Sequence, residues 1–200
     1  RRIVGVDVEM RRLLLGEEVD FIAGQYFWVT LLDPPYDDDK GPRRHISVVT
    51  SPNDRGVLGL CTRLRDTAFK RSLAELPVGT EVDVEQPKGN FLLPSAADGP
   101  FVFIAGGIGI TVFRSMLLYI TEEGLKHDVT LVYSNRDRES TAFLDELPAV
   151  ALRAEPEVLR IRDLRPREAV VHLGERHVAG RDALVVSQAV EPVVVEEAPV

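Results

Sequence analysis

Two hundred residues, 44% of them hydrophobic, suffice for one large domain or two small ones with a sizeable core. A formal net charge of −8 argues against a nucleic-acid footprint, and no apolar run is long enough to predict a membrane span or a signal peptide, so a cytoplasmic protein is expected. Cys61 is the only cysteine; it excludes an intrachain disulfide and any iron–sulfur cluster held by this chain's cysteines alone, and is expected to be a buried thiol.

The first half reads as β. Phe21-Ile22 leads through Ala23-Gly24-Gln25 into Tyr26–Leu32, whose aromatic and β-branched residues predict a strand. Asp33–Pro42 is a polar loop crowded with turn residues. Short strands are predicted over Ile46–Thr50 and Val57–Cys61, around a Ser-Pro-Asn-Asp turn at 51–54. Thr67–Leu76 predicts a short helix, and Glu81–Glu85 alternates like a half-buried strand. Several short strands at this spacing predict a small barrel. Pro94–Pro100 is the expected boundary, with one domain over 1–97 and a second over 98–200. Beyond it strand and helix alternate: strand 101–105, helix 112–123, strand 129–133, helix 139–149, then strands 158–161 and 183–187. That order predicts a parallel sheet covered by helices. Ala189–Val200 mixes proline, valine and glutamate and is expected to be a mobile tail.

Phe101–Thr111 runs from apolar strand through a glycine turn into a helix. Phe113, Met116, Leu117 and Ile120 follow at helical spacing and predict a core face. Gly106, Gly107 and Gly109 permit a sharp turn and close approach of a ligand, and the first helical turn offers unpaired N–H groups to a phosphate. A glycine cluster also serves as a plain tight turn, and the third glycine of the dinucleotide fingerprint is absent. The neighbouring strand Val129–Tyr133 completes a βαβ unit and points to a pyrophosphate site. After it comes Ser134-Asn135-Arg136, with no acid before Asp137. An acidic residue at this strand end binds a ribose hydroxyl, whereas an arginine accommodates a 2′-phosphate. Arg136 therefore reads either as a preference for NADPH over NADH or as a solvated loop residue.

Arg43-Arg44-His45-Ile46-Ser47 begins a strand of the first half. Arg44 can pair with a phosphate through a bidentate fork, and Ser47 shares a strand face with His45. Alone this is an ordinary start of a strand. In chain order, however, Ala23-Gly24-Gln25, Arg44–Ser47, Thr50-Ser-Pro52, Leu73–Gly79, Pro87–Phe91, Ala105–Thr111 and Tyr133–Arg136 together resemble the ferredoxin–NADP reductase family of flavoproteins over roughly residues 20–147. The resemblance implies an antiparallel Greek-key flavin barrel followed by an α/β parallel-sheet nucleotide-binding domain. It implies that Arg44 holds the flavin phosphate, that His45 and Ile46 lie along the flavin, and that Ser47, the catalytic candidate, sits near flavin N5. Thr62, Thr67 and Lys70 meet the rest of the cofactor. Gly107, Gly109 and Thr111 seat the nicotinamide nucleotide's pyrophosphate, and Ser134 and Arg136 its adenosine end. The implied activity passes hydride from NADPH or NADH to FAD, with FMN the alternative flavin. Electrons then leave to ferredoxin, flavodoxin, an oxygenase, a membrane-bound haem protein or a small molecule.

Four positions depart from the family pattern. Ile46 replaces the usual aromatic residue and cannot stack. Val112 replaces a helix-starting proline. Lys70 stands where serine or threonine is usual. Val185-Val-Ser187 leads into Gln188–Pro192, with none of the family's glycine–proline turn. These departures favour an alternative, a flavin-binding electron-transfer subunit or a catalytically impaired relative acting through a partner. No metal site is expected: His172, Glu175 and His177, like Asp37-Asp-Asp39, read as solvated loop residues. No Gly-x-Ser-x-Gly elbow is present to support a hydrolase.

Overall fold

The computed structural model describes residues 8–16, 18–136, 141–147, 150, 159–164 and 183–186. The first half holds strands β1 (Val8–Leu14), β2 (Tyr26–Leu31), β3 (Arg43–Ser47) and β4 (Val57–Arg63), helix α1 (Ala68–Glu75), and strand β5 (Val82–Val84). Along β2 the pleat buries Phe27, Val29 and Leu31 and leaves Tyr26, Trp28 and Thr30 half-buried. β2 is the centre of an antiparallel sheet ordered β3-β2-β5, while β1 and β4 pair antiparallel in a sheet of their own. Among the described residues these strands make two sheets and not the single closed Greek-key barrel expected. Phe69 and Leu73 of α1 pack with Phe21, Phe27, Val29 and Leu31 to fill the core between them.

β1 escapes a pattern search because its inward positions carry charge. Glu9 is buried and pairs with Arg11 at 2.7 Å. Arg11 Nη2 also donates to the Leu73 and Ala74 carbonyls near the end of α1, at 3.0 and 3.3 Å. Those carbonyls lie in the last helical turn, where no intrahelical donor remains.

The second half holds β6 (Phe101–Gly106), a 3-10 turn (Gly107–Gly109), α2 (Ile110–Glu122), β7 (Val129–Ser134), β8 (Leu159–Leu164) and β9 (Ala183–Val186). The strands form a parallel sheet ordered β8-β7-β6-β9. α2 covers one face, with Phe113 stacked on Phe103 at 4.7 Å between ring centroids. The helix starts at Ile110 without the usual proline; Val112 is buried in its first turn. A continuous helix over 139–149 does not form: Phe143 takes φ +60, which no right-handed helix accommodates, and the backbone turns there instead. Residues 137–140, 148–149, 165–182 and the tail from 187, including the His172–His177 group, lie outside the described residues.

The two halves share packing. Ala23, Val49 and Cys61 belong to the core built on β6, α2 and β7. Gly24 makes the closest approach. Its φ is +107, and a Cβ there would stand 2.1 Å from the Phe91 carbonyl oxygen and 2.6 Å from Met116 Cε. The first of these atoms is backbone and cannot step aside. Gly24→Ala is expected to cost about 2–4 kcal/mol, read as a lowered urea midpoint; an unchanged midpoint would show that the approach relaxes freely.

Cys61 lies buried at this junction, and burial pushes its thiol from 9.0 up to about 12. The folded state keeps the proton where the unfolded chain has lost it. The unfolded state therefore binds fewer protons above pH 9, and stability falls as pH rises toward 12. Cys61→Ala should flatten that fall in denaturation midpoints measured from pH 8 to 10.5. The native thiol should also resist a disulfide reagent at pH 8 that labels the denatured chain, and equal labelling rates would contradict its burial.

Candidate functional site

In the parallel sheet the chain steps from β6 to β7 to β8, then returns to place β9 on the other side of β6. In open α/β sheets the crevice beyond the strand ends at such a reversal is where ligands bind. The 3-10 turn Gly107–Gly109 sits there, continuing β6 into α2. Gly107 takes φ +52, a conformation suited to glycine. The turn is held from two sides. The Tyr133 hydroxyl lies 3.1 Å from the Gly107 carbonyl oxygen and 3.2 Å from that of Ala142, and Thr111 Oγ1 donates to the Ile108 carbonyl at 3.1 Å. Burial pushes the Tyr133 phenol up to about 12, so it remains a neutral donor. Ser134 closes β7 beside Gly106, and Arg136 is exposed two residues on. Between them Asn135 lies near the Tyr133 hydroxyl, yet its amide nitrogen and oxygen are buried without a hydrogen-bond partner of good geometry. Buried polar atoms of this kind are costly unless something meets them.

The first half supplies a cluster of cations beside this turn. Arg44 sits 5.3 Å over the Phe69 ring in the first turn of α1. Thr67 precedes that helix in extended conformation, and its hydroxyl caps nothing. Lys70 follows in the same turn, half-buried. Burial, then the charges of Arg65 and Arg63, push the Lys70 ammonium below the ordinary lysine value. Like charges crowd here, and an anion among them relieves the repulsion. Thr62 and Arg63 close β4, and Arg63 Nη2 lies 3.5 Å from where a Cβ on Gly107 would stand. One guanidinium thus spans from the cationic cluster to the glycine turn. The donors, the helix start and the side-chain-free turn fit phosphate groups on both sides of Arg63.

β3 presents its predicted residues on two faces. Arg44 and Ile46 pair in register with Val29 and Phe27, so they share the inward face, and Ile46 packs on the core. His45 and Ser47 pair with Trp28 and Tyr26 on the outer face and line an open groove of about 370 Å³. His45 meets Tyr26 and Trp28 edge-on at 5.6 and 5.0 Å. Arg43 lies 4.0 Å over Trp28 and pairs with Glu85. Arg44 thus meets α1 at Phe69, next in sequence to Lys70, and Arg63 lies between Lys70 and the glycine turn, whereas Ser47 ends β3 on the face opposite Arg44.

Several known proteins are similar to this chain. Residues 103–176 match the oxidoreductase NAD-binding domain family. A flavohemoprotein of Candida albicans is 47% identical over 68 residues, which are 34% of this chain and 17% of that protein. Phthalate dioxygenase reductase of Burkholderia cepacia is 34% identical over 122 residues, 61% of this chain and 34% of that one. The solved structure of phthalate dioxygenase reductase superposes with a TM-score of 0.69 at 24% identity, over 88% of this chain and 55% of that one. A ferredoxin NADP+ reductase from Neisseria gonorrhoeae superposes with a TM-score of 0.65 at 23% identity, over 82% of this chain and 65% of that one.

The chain resembles reductases of the ferredoxin–NADP reductase family. It spans about a third or less of the length of these curated relatives. Arg63 and Asn135 are the additions that the family pattern of single motifs does not reveal. Arg63 follows the predicted strand as one cation among several, and Asn135 sits unremarked between Ser134 and Arg136. Only their placement against the glycine turn distinguishes them. Tyr133→Phe removes the hydroxyl that meets that turn. It is expected to cost about 1 kcal/mol in chemical denaturation and to weaken retention on an immobilised nicotinamide nucleotide; unchanged retention would show that the turn holds its shape unaided.

Proposed function

We infer that this chain forms the flavin- and nicotinamide-binding part of an oxidoreductase that passes hydride from NADPH or NADH to FAD and electrons onward to an acceptor. The carrying observation is the meeting of two phosphate-suited regions at Arg63, the α1 cluster on one side and the Gly107–Gly109 turn on the other. FAD, when bound, supplies the redox chemistry that no side chain here provides.

The chain's own residues bind and align. Arg44, Thr67 and Lys70 hold the flavin's phosphates, and Thr62 stands beside Arg63. Ser47 stands three residues from Arg44, about 10 Å along β3 and on its other face, so one flavin would reach both only by passing the strand end that Ser47 forms. There it would meet the reacting edge of the ring, with His45 and Ile46 on either face of β3. Gly107, Gly109 and Thr111 seat the pyrophosphate of the nicotinamide nucleotide. Ser134 and Arg136 hold its adenosine end, and Arg136 favours a 2′-phosphate. Residues 1–97 carry the flavin and 98–200 the nicotinamide nucleotide. The gonococcal enzyme's bound FAD and NADP support this pairing, as does phthalate dioxygenase reductase's electron transfer from pyridine nucleotides to a [2Fe-2S] centre. An oxygenase component or ferredoxin-like protein is the proposed acceptor class, ahead of flavodoxin or a small molecule. The proposed setting is cytoplasmic; among the described residues no helix is long and apolar enough to cross a membrane.

Ile46 favours one alternative. It packs on the core and offers no ring to stack on a flavin. That suits a flavin-binding electron-transfer subunit or an impaired relative that works through a partner.

The visible spectrum of the purified protein tests both. Flavin bands bleached by NADPH without oxygen, and more slowly by NADH, are expected. Arg44→Ala should weaken flavin binding by about tenfold to a hundredfold. Bands that neither nucleotide bleaches would favour the subunit, and a protein that takes up neither FAD nor FMN would overturn both.

A further inference from the structure

The loop between β2 and β3 is docked on α1 and curls back to the arginine proposed to hold the flavin phosphate. Its middle is anchored: Tyr36 N donates to Ser72 Oγ at 3.1 Å, and Ser72 Oγ donates to the Tyr36 carbonyl at 3.1 Å. The Tyr36 hydroxyl donates to Glu75 at 2.9 Å, and the Arg71 guanidinium lies 3.8 Å over the Tyr36 ring. Ser72 is fully buried, so the loop's footing is part of the core of this half.

The tip then encloses Arg44. Arg44 Nη1 donates to the carbonyls of Lys40, Gly41 and Arg43 at 3.0, 2.8 and 2.7 Å. Arg44 Nη2 pairs with Asp38 Oδ1 at 3.5 Å. That carboxylate is itself oriented: Asp38 Oδ1 accepts from Lys40 N at 2.9 Å, and Asp38 N donates to Asp37 Oδ1 at 2.9 Å. A fixed negative charge therefore stands beside the guanidinium, and any phosphate on Arg44 must share it.

We propose that Asp38 makes this site select a flavin dinucleotide over a flavin mononucleotide. Each phosphate of a dinucleotide's pyrophosphate carries one negative charge. The terminal phosphate of a mononucleotide carries nearly two at neutral pH, because its second proton leaves near pH 6. The half-buried Asp38 carboxylate repels the second charge at close range, where solvent screens it only in part. A dinucleotide would bring one charge, not nearly two, to the phosphate beside Asp38. Selection rests on the reading of Arg44 given above, and it concerns affinity alone.

The test is fluorescence titration of the flavin-free protein with FAD, FMN and riboflavin at low and high salt, for wild type, Asp38→Asn and Asp38→Glu. Asp38→Asn keeps an oxygen to accept from Lys40 N while removing the charge, so the loop is expected to hold. Wild type should prefer FAD. Asp38→Asn should cut the FAD-to-FMN affinity ratio about fivefold, with riboflavin unchanged and the effect shrinking in high salt. Asp38→Glu should keep most of the preference. Equal gains for FAD and FMN, an equal gain for riboflavin, or a wild type indifferent between the two nucleotides would overturn the role of Asp38 while leaving flavin binding intact. Failure of all three flavins to bind wild type, or flavin affinities untouched by Arg44→Ala, would overturn the flavin assignment of Arg44 and the selection with it.

Discussion

α2 is gripped from two sides, and the alignment of everything else depends on that grip. One face packs on β6 and β7 through Phe113, Met116 and Ile120. The other is tied to residues 49–53 of the first half. Arg114 donates to the Val49 carbonyl, pairs with Glu146 and lies 4.8 Å over Phe143. Ser115 Oγ donates to the Thr50 carbonyl at 2.7 Å. Further along, Ser51 meets Glu122, and Asn53 Nδ2 donates to Glu123 at 2.8 Å. α2 and its C-terminal end thus hold the connection between β3 and β4 in place. These bonds are specific in geometry, and that of Ser115 is buried, so they resist sliding more than an apolar contact of equal area does. The helix that grows from the glycine turn is therefore the same body that fixes the first half beside that turn.

The local electrostatics run against the overall charge. The chain is acidic, with a net charge of −8. Yet Arg44, Arg63, Arg65 and Lys70 concentrate around the start of α1 and the end of β4. A net acidic surface with a basic cluster draws small anions to one place while discouraging polyanions elsewhere. Such a field suits a phosphate-bearing small molecule better than a nucleic acid, which is what the composition already excluded.

Much of this was legible from residue order because the governing constraints are local. Phe101–Gly106 and Val129–Ser134 read as buried parallel strands from their apolar runs, and the glycine turn between strand and helix marked the phosphate region. What stayed hidden has a spatial cause in each case. β1 carries Glu9 and Arg11 inward, because the pair satisfies its own charges and caps α1, so its alternation is invisible as a hydrophobic pattern. Phe143 turns by taking a positive φ that no propensity for phenylalanine suggests. The family arginine and serine of β3 share a motif but not a face, since successive side chains in a strand point oppositely. Arg63, Asn135 and Asp38 acquire meaning only from what the fold sets beside them.

β6 has a neighbour on each side, β7 and β9. The first emerges from the ribosome soon after β6, whereas the second, Ala183–Val186, comes well after β7. Until then the apolar strand that carries the glycine turn keeps a bare hydrogen-bonding edge. Such an edge is a template for pairing with any extended chain nearby, including a nascent copy. Pairing across so long a sequence interval is also slow. The reversal that creates the ligand crevice thus leaves a pairing edge open until β9 is made, and a chain truncated before residue 183 should be an aggregation hazard out of proportion to the four residues of strand it lacks.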